Sequence, residues 1–588
     1  MQTALCHDGW TRADGVAVRG RAFENDRLLE DDVLAARFSE IRESDAPLEA
    51  VASVAADLEG FFAAVLEDGD ATYLVADGAR SVPLYYGTGG PVSDRGRLVR
   101  EALEAPTDPI TESEFLLTRY VTGPETIWSE VYATQPGEVV RIGGDGIERR
   151  TYRDYWPTGP DDDAGSVGDS SDHGARLESA LETALDRLER VAGDRPVVVP
   201  LSGGYDSRLL ASALVDRGRE VIGFTFGRSG HPDVEVSREI AARLGIPWKF
   251  CDYDESTWRE WYRGPPGRRY EREAFGGDAL PFLAEWPAVR ELVADGRLPT
   301  DALYCPGHTV ATPSERLPRF VGERRRSEPS SVGCGPAVDA DDEVDSADDR
   351  ERIVPSLEAL TDYVLERHYA LWEWDDPTFE DAARERIRRG LRGDRDPDAI
   401  ADRASAAAAY ERWEWRGRMA TFTNGDLRVY EDAGLEWWLP LWDPVYVRAW
   451  ERVPLEARRG KGLHADLARE RYRRAADVPD ERAGLTDRTL SPADRHLALV
   501  RHSPVRQFTE RGGDWMPPFL APRSAWSEPG SHPLSWYGIV DDDVLEELPA
   551  FRNLYALRTL AATGRLDLED ASGPIPDGST IRLPTADE

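Results

Sequence analysis

Six consecutive residues, Ser202-Gly203-Gly204-Tyr205-Asp206-Ser207, hold the clearest chemistry in this chain. They combine two hydroxyls, a carboxylate and two adjacent glycines. Val197 to Leu201, just before them, is a short apolar run rich in β-branched residues, which suits a buried parallel strand. From Asp206 the pattern is helical, apolar at Leu209, Leu210, Ala213 and Leu214, with Gly218 as the stop. A strand, a Gly-rich turn and a helix N-terminus together make an anion site. Backbone N–H groups point outward, the helix dipole is positive there, and no Cβ blocks approach at the glycines. Ser202 and Ser207 are candidates to bond phosphate oxygens, and Asp206 to hold Mg²⁺. No lysine follows the glycines, so the loop is not the G-x-x-x-x-G-K-[ST] type. An ordinary Gly-rich strand-to-helix turn is the plainer alternative.

The elements around this loop set its expected position. A helix from Ala175 to about Val191 is apolar at Leu177, Leu181, Leu185 and Leu188. After the loop come a strand at Val221–Phe226, a helix at Val234–Leu244 closed by Gly245, and a strand at Trp248–Cys251. A helix at Trp286–Ala294 and a strand at Ala302–Cys305 follow. This alternation predicts an α/β domain with a doubly wound parallel sheet. Ligands then sit beyond the strand C-termini, so Leu201–Ser207, Phe226–Asp233 and Pro306–His308 are expected to converge. Residues 1–156 read as mostly β, with strands at Phe61–Leu66 and Thr72–Ala76 and a late hairpin around Gly137–Gly146. Residues 157–173 form an acidic linker, and 174–588 the second domain. Residues 323–352, with an acidic run at Asp339–Asp349, read as a disordered insertion. From Ser356 onward the chain is helical and rich in tryptophan. Trp413, Trp415, Trp437, Trp438, Trp442 and Trp450 suit a helical core, with an aromatic substrate wall as the alternative.

Composition narrows the function. The 588 residues carry a formal charge of −38, from 110 acidic and 72 basic side chains. That opposes non-specific nucleic-acid binding, which needs a basic face. The only lysines are Lys249 and Lys461; all other cationic side chains except histidine are arginine, a bias that resembles proteins of salt-loving organisms. A lysine kept against that bias suggests a task needing a compact point charge, and Lys461 fits it better than Lys249, which reads as a half-exposed strand residue. Cys6, Cys251, Cys305 and Cys334 form no C-x-x-C pair, and no apolar run reaches membrane-spanning length, so a cytoplasmic protein is expected.

With these segments in order, the chain resembles the asparagine synthetase family, and its Ser202–Ser207 loop resembles that of the N-type ATP pyrophosphatases. In the C-terminal half the resemblance rests on Leu201–Ser207, Phe224-Thr225-Phe226-Gly227, Pro232-Asp233, Ile240–Gly245, Glu436–Asp443 and Gly460-Lys461-Gly462-Leu463. In the N-terminal half it rests on Leu58–Ala63, Asp77–Tyr86, Pro136-Gly137-Glu138 and Tyr155-Trp156. It implies an αββα, Ntn-hydrolase-like N-terminal domain of the class II glutamine amidotransferase kind. It also implies an ATP-dependent, AMP-forming amide ligase. A carboxylate, aspartate by family default, attacks the α-phosphorus; ammonia or another amine then displaces AMP. ATP and Mg²⁺ are the implied cofactors, and a homodimer is compatible with the family. Leu201 and Phe226 would face adenine or ribose, Ser202, Gly203, Gly204, Asp206 and Ser207 the phosphates, and Gly307 the nucleotide. Lys461 would be the catalytic cation.

Two departures qualify this. Class II glutaminases use an N-terminal cysteine whose α-amino group is the base. This chain begins Met1-Gln2-Thr3, and Cys6 reads as a small half-buried thiol, so no glutaminase nucleophile is expected. Arg19–Phe23 is at best a remnant of that site's arginine segment. The family's S-G-E-G-x-D-E segment is here Cys305-Pro306-Gly307-His308-Thr309-Val310-Ala311, without its aspartate. Glu315 or Asp233 could supply the missing metal carboxylate, and His308 could meet substrate. The alternatives left open are a related ligase using a sugar acid, peptide or other metabolite, and a nucleotide-binding scaffold without turnover.

Overall fold

A computed structural model describes residues 3–41, 47–69, 71–159, 170–227, 229–254, 264–321, 354–371 and 376–478, with residues 257, 260, 261, 374, 556 and 559. The expected insertion at 323–352 and most of the expected linker lie outside these residues.

Continuous apolar runs in the central strands, buried on both faces, build the N-terminal half. Strands β1 (Val16–Glu24), β2 (Glu59–Asp68), β3 (Ala71–Ala76), β4 (Glu138–Gly143) and β5 (Gly146–Thr151) form most of a seven-stranded antiparallel sheet in the order β5-β4-β3-β2-β1. Helices α1 (Asp31–Ser39) and α2 (Pro47–Asp57) cover one face, over Phe38, Val51, Ala55, Phe62 and Val75. The other face meets a small four-stranded sheet through Val65, Leu74, Tyr86 and Val92. The strands read at 61–66 and 72–76 thus lie inside β2 and β3, and the late hairpin is β4–β5. Gly20, in mid-β1, has φ +96° and faces the Phe61 carbonyl on β2, so a Cβ there would collide with backbone.

The alternating half follows the sequence. Helix α3 (Ser170–Ala192) begins upstream of the expected Ala175, inside the expected linker, where Ser and Asp favour a helix start. Next come β6 (Val197–Pro200), α4 (Tyr205–Asp216), β7 (Val221–Gly227), α5 (Pro232–Leu244), β8 (Trp248–Asp252), β9 (Leu303–Tyr304), α6 (Leu427–Asp432), β10 (Glu436–Trp437) and α7 (Gly462–Ala475). The strands form one parallel five-stranded sheet in the order β8-β7-β6-β9-β10. The chain winds outward from β6 through β7 to β8, then returns to β9 on the other side of β6. The gap between β6 and β9 is therefore the topological switch point, where loops diverge and leave a crevice. Trp413, Trp415, Trp438, Trp442 and Trp450 are buried core, Trp415 and Trp442 stacking at 6.1 Å, which supports the core alternative over a substrate wall.

The two halves share a buried seam. Arg80 pairs with Asp278, Asn424 Nδ2 donates to the Ala79 carbonyl at 3.0 Å, and Arg187 reaches both Glu59 and Asp443. The Phe61 and Trp438 rings meet edge-to-face at 4.6 Å.

Replacing Gly20 with alanine forces a positive φ on an L side chain and a clash with β2. Gly20→Ala is expected to lower unfolding free energy by about 3 kcal/mol, read as a fall in denaturation midpoint with unchanged slope.

Candidate functional site

The site is built at the switch point. β6 ends at Pro200, and Leu201 holds the first turn by donating its N–H to Phe224 O at 2.7 Å. Thr225 Oγ1 caps the Leu201 carbonyl at 2.8 Å, tying the loop to β7. Ser207 closes the turn, its Oγ accepting from Ser202 N at 3.1 Å and lying 3.2 Å from Ser202 Oγ. Gly204 N donates to Ser202 Oγ at 3.2 Å. Gly203 N donates to Asp233 Oδ1, on α5, at 2.6 Å. A carboxylate oxygen therefore already sits on one loop amide, the polarity an anion site requires. Gly307, two residues beyond the Cys305 that follows β9, lies so close that a Cβ would sit 2.7 Å from Ser207 N and Cα. The three segments expected to converge do so: Gly203 touches Asp233, and Ser207 touches Gly307. Phe226 is partly buried near the end of β7 and stacks on Tyr253 at 5.5 Å.

The start of helix α7 supplies a lysine and a histidine. Lys461 stands just before it with φ 57°, a left-handed conformation that a non-glycine residue seldom adopts. It is buried rather than set in an exposed turn. Its Nζ lies 3.0 Å from Asp206 Oδ2 and 3.1 Å from Glu315 Oε2. His464, fully buried one turn on, places Nε2 2.9 Å from Asp206 Oδ1, with its Nδ1 2.8 Å from Tyr446 Oη. Burial alone would raise the Asp206 pKa, but Lys461 and His464 hold it well below the usual carboxylate range. Burial would lower that of Lys461, but Asp206 and Glu315 raise it instead. At neutral pH the ammonium and the carboxylate are both charged.

These residues do not form a protein-held Mg²⁺ site. Both Asp206 oxygens face nitrogen groups, Asp233 is turned to the Gly203 amide, and Glu315 to the ammonium. Among the described residues no group of three or more His, Cys, Asp or Glu side chains could hold a metal ion.

His464 and Asp426 are absent from the sequence reading. His464 had a signal, since it follows Lys461 by three residues and shares its helix face. Asp426 had none. It is fully buried at the start of α6, with Oδ2 3.2 Å from His308 Nε2. Burial pushes the His308 pKa down to about 4, so the imidazole is neutral near pH 7. Glu285 is also buried, and Tyr430 Oη donates to it at 2.7 Å. Burial raises both carboxyl pKa values, and the Glu285 charge raises that of Asp426 further.

Cys6 needs correction: its side chain is exposed, not half-buried. Asp94 takes the N–H groups of Cys6 and His7 at 2.9 and 3.0 Å and the Trp10 indole at 2.8 Å, which fixes the backbone inward and leaves the thiol outside. Partial desolvation and then Asp94 raise its pKa, the reverse of an activated thiol.

Comparison with known proteins agrees with this geometry. Residues 176–258, spanning α3 through β8, match the family model described as asparagine synthase. The matched segment contains the strand–loop–helix unit with Ser202–Ser207, and the similarity to the asparagine synthase family model is confined to it. The tRNA-specific 2-thiouridylases MnmA of Sinorhizobium medicae and Sinorhizobium fredii are 29% and 30% identical over 161 residues, 25% of this chain in each case. The chain spans 39% of the length of these relatives. A solved glutamine phosphoribosylpyrophosphate amidotransferase from B. subtilis, complexed with ADP and GMP, overlaps 41% of this chain and 47% of its own at 12% identity and TM-score 0.16, too slight a likeness to bear on the fold. No helix among the described residues is long and apolar enough to cross a membrane.

Two outcomes follow. Gly307→Ala should displace Ser207 and weaken ATP binding at least tenfold by calorimetry, with the fold intact by circular dichroism. Glu285 has a folded pKa above its unfolded one, so its contribution is complete at low pH and lost as pH rises through the folded value. Stability should decline upward from about pH 4.3, and Glu285→Gln should flatten that decline in denaturation curves taken across pH.

Proposed function

We propose that this chain is an ATP-dependent, AMP-forming amide ligase resembling asparagine synthase, acting without glutamine hydrolysis. The observation that carries the reading is Lys461. One of two lysines in 588 residues, it is buried in a strained left-handed conformation beside Asp206, at the N-terminus of the helix that follows the phosphate-type loop. Strain of about 1–3 kcal/mol persists where the surroundings over-determine it, and such positions cluster at functional sites.

In this reading ATP lies across the β6–β9 crevice, with adenine or ribose toward Leu201 and Phe226 and the phosphates on Ser202, Gly203, Gly204, Ser207 and the backbone N–H of Asp206, whose carboxylate holds Lys461. Gly307 lies against the nucleotide. A carboxylate oxygen, aspartate by family default, attacks the α-phosphorus. The bond from that phosphorus to the bridging oxygen breaks, and pyrophosphate leaves with the electron pair. Charge builds on the phosphoryl oxygens, where loop amides, the α4 N-terminus and the Lys461 ammonium meet it. Ammonia or another amine then attacks the acyl carbon, loses a proton and displaces AMP, leaving an amide. Mg²⁺ is the family's cofactor; this donor set does not supply its ligands, so no step here depends on it.

Another carboxylate, such as a sugar acid, a peptide or a small metabolite, serves the same steps and is the second reading, because the Cys305–Ala311 segment departs from the family pattern. A scaffold without turnover is opposed by the charged Lys461–Asp206 pair. The tRNA relatives raise a nucleic-acid acceptor, and the charge of −38 opposes it. The exposed Cys6 with its raised pKa supports the absence of glutaminase. We assign the chain to the cytoplasm and, from the family resemblance alone, propose a homodimer.

The test is Lys461→Ala, assayed with ATP, aspartate or other carboxylates, and ammonium. Loss of one electrostatic group should lower kcat by about 10²–10³ while ATP affinity stays within a few-fold. Lys461→Arg, with charge but a different shape, should recover little. Unchanged turnover in Lys461→Ala removes this residue from the mechanism.

A further inference from the structure

A second charged concavity lies away from the Ser202–Ser207 loop, at the seam between the two halves. Its volume is about 370 Å³, within the range of small-ligand sites. Arg95 and Arg97 come from the N-terminal half, Arg269 and Arg272 from the helix Pro265–Ala274, and Arg428 from α6. The carboxylates in its wall are Glu273, Glu431 and Asp432. Among the described residues of the lining, five guanidinium groups stand with three carboxylates, on a chain whose overall charge is −38.

The described acids are heavily shared, and Arg97 also pairs with Glu101, outside the wall, at 2.9 Å. Glu431 also answers Arg19, which stands behind the wall, and accepts the Trp437 indole N–H at 3.2 Å. Asp432 takes two bonds from Arg269, at 2.8 and 3.2 Å, and one from the Trp286 indole at 2.8 Å. Glu273 is divided between Arg97 and Arg272, at 3.4 and 3.3 Å. Arg428 Nε is buried without a hydrogen-bond partner. A wider hollow, about 640 Å³, shares Arg269 and Arg272 and adds Arg268, so the cationic surface continues outward.

A chain this acidic gains nothing in solubility from gathering arginines in one hollow, and like charges held together repel unless something stands between them. Planar guanidinium groups match phosphate and carboxylate oxygens in pairs. A phosphate monoester carries about −1.5 to −2 near neutral pH, more than one carboxylate brings, and its three terminal oxygens suit several guanidinium groups at once. The volume leaves room for the group that the phosphate is attached to. We propose that this hollow binds a small phosphate monoester, at a site separate from the Ser202–Ser207 loop and independent of the reaction assigned there.

Cys6 lines the hollow and is exposed, so its alkylation reports occupancy. Full-length protein would be treated with iodoacetamide, and modification of the Cys6 peptide followed by mass spectrometry. Three probes are compared: ribose 5-phosphate, inorganic phosphate and citrate. Ribose 5-phosphate should slow Cys6 modification severalfold and saturably, at lower concentration than inorganic phosphate, with citrate weaker than both. The double variant Arg269→Gln, Arg272→Gln changes two exposed side chains, 51% and 59% accessible. It should weaken ribose 5-phosphate protection at least tenfold while leaving ATP affinity unchanged. Arg272→Gln alone, whose ionic partner is the adjacent Glu273, should show a smaller loss in the same direction if the double variant misfolds. No protection by ribose 5-phosphate, or protection that persists in the variants, overturns the site. Equal protection by citrate overturns the phosphate assignment, and protection by inorganic phosphate alone overturns the ester.

Discussion

The structure around the loop depends on one ion pair. Lys461 places a compact positive charge 3.0 Å from Asp206, in the first turn of α4 and beside the end of β6. Removing water from either charge alone is costly, and each makes the burial of the other tolerable. The His464 imidazole on the second Asp206 oxygen and Glu315 on the ammonium complete the network. The network joins α4, the start of α7 and the segment after β9 at the switch point. A fixed cation thus stands at the mouth of a loop whose amides already favour anions, and little has to move for phosphate charge to be met.

The sheet explains why the chemistry gathers there. Parallel strands present their C-terminal ends on one edge, and the return from β8 to β9 across β6 opens a place where two neighbouring loops part. The close contact of Gly307 with Ser207 is a consequence: a side chain at 307 would close that gap. The N-terminal half holds the edge from outside. Asp77 folds its loop by accepting from Phe62 N at 3.1 Å and from Ala79 N at 2.6 Å, and the loop then docks on Asp278, Asn424 and Arg428. The N-terminal half thereby braces the elements beside the loop.

What the sequence disclosed follows from sequence distance. The β6–loop–α4 unit, β7, α5 and β8 were legible because periodicity, glycine stops and the loop lie within a few dozen consecutive residues. Lys461 was legible for another reason, the near absence of lysine. His464 could have been found beside it. Asp426 beneath His308, Asp278 opposite Arg80 and Asp443 opposite Arg187 were not legible, because each is a single polar residue whose partner lies more than a hundred positions away. Asp233 and Glu315 were read as candidate metal carboxylates because their type and rough position fitted. Their direction, toward the Gly203 amide and the Lys461 ammonium, is set by packing that one sequence does not display. Cys6 was misjudged for the same reason, since Asp94 fixes that turn from a distant part of the chain.

The central claim is that this site directs cleavage of ATP between the α- and β-phosphates. Phosphorus NMR of ATP incubated with the protein, ammonium and a panel of carboxylates tests it most directly, since the products name the bond broken. The account predicts AMP and pyrophosphate in equal amounts, appearing only when a carboxylate is present. ADP and inorganic phosphate as the products, or ATP bound but uncleaved across the panel, would contradict it.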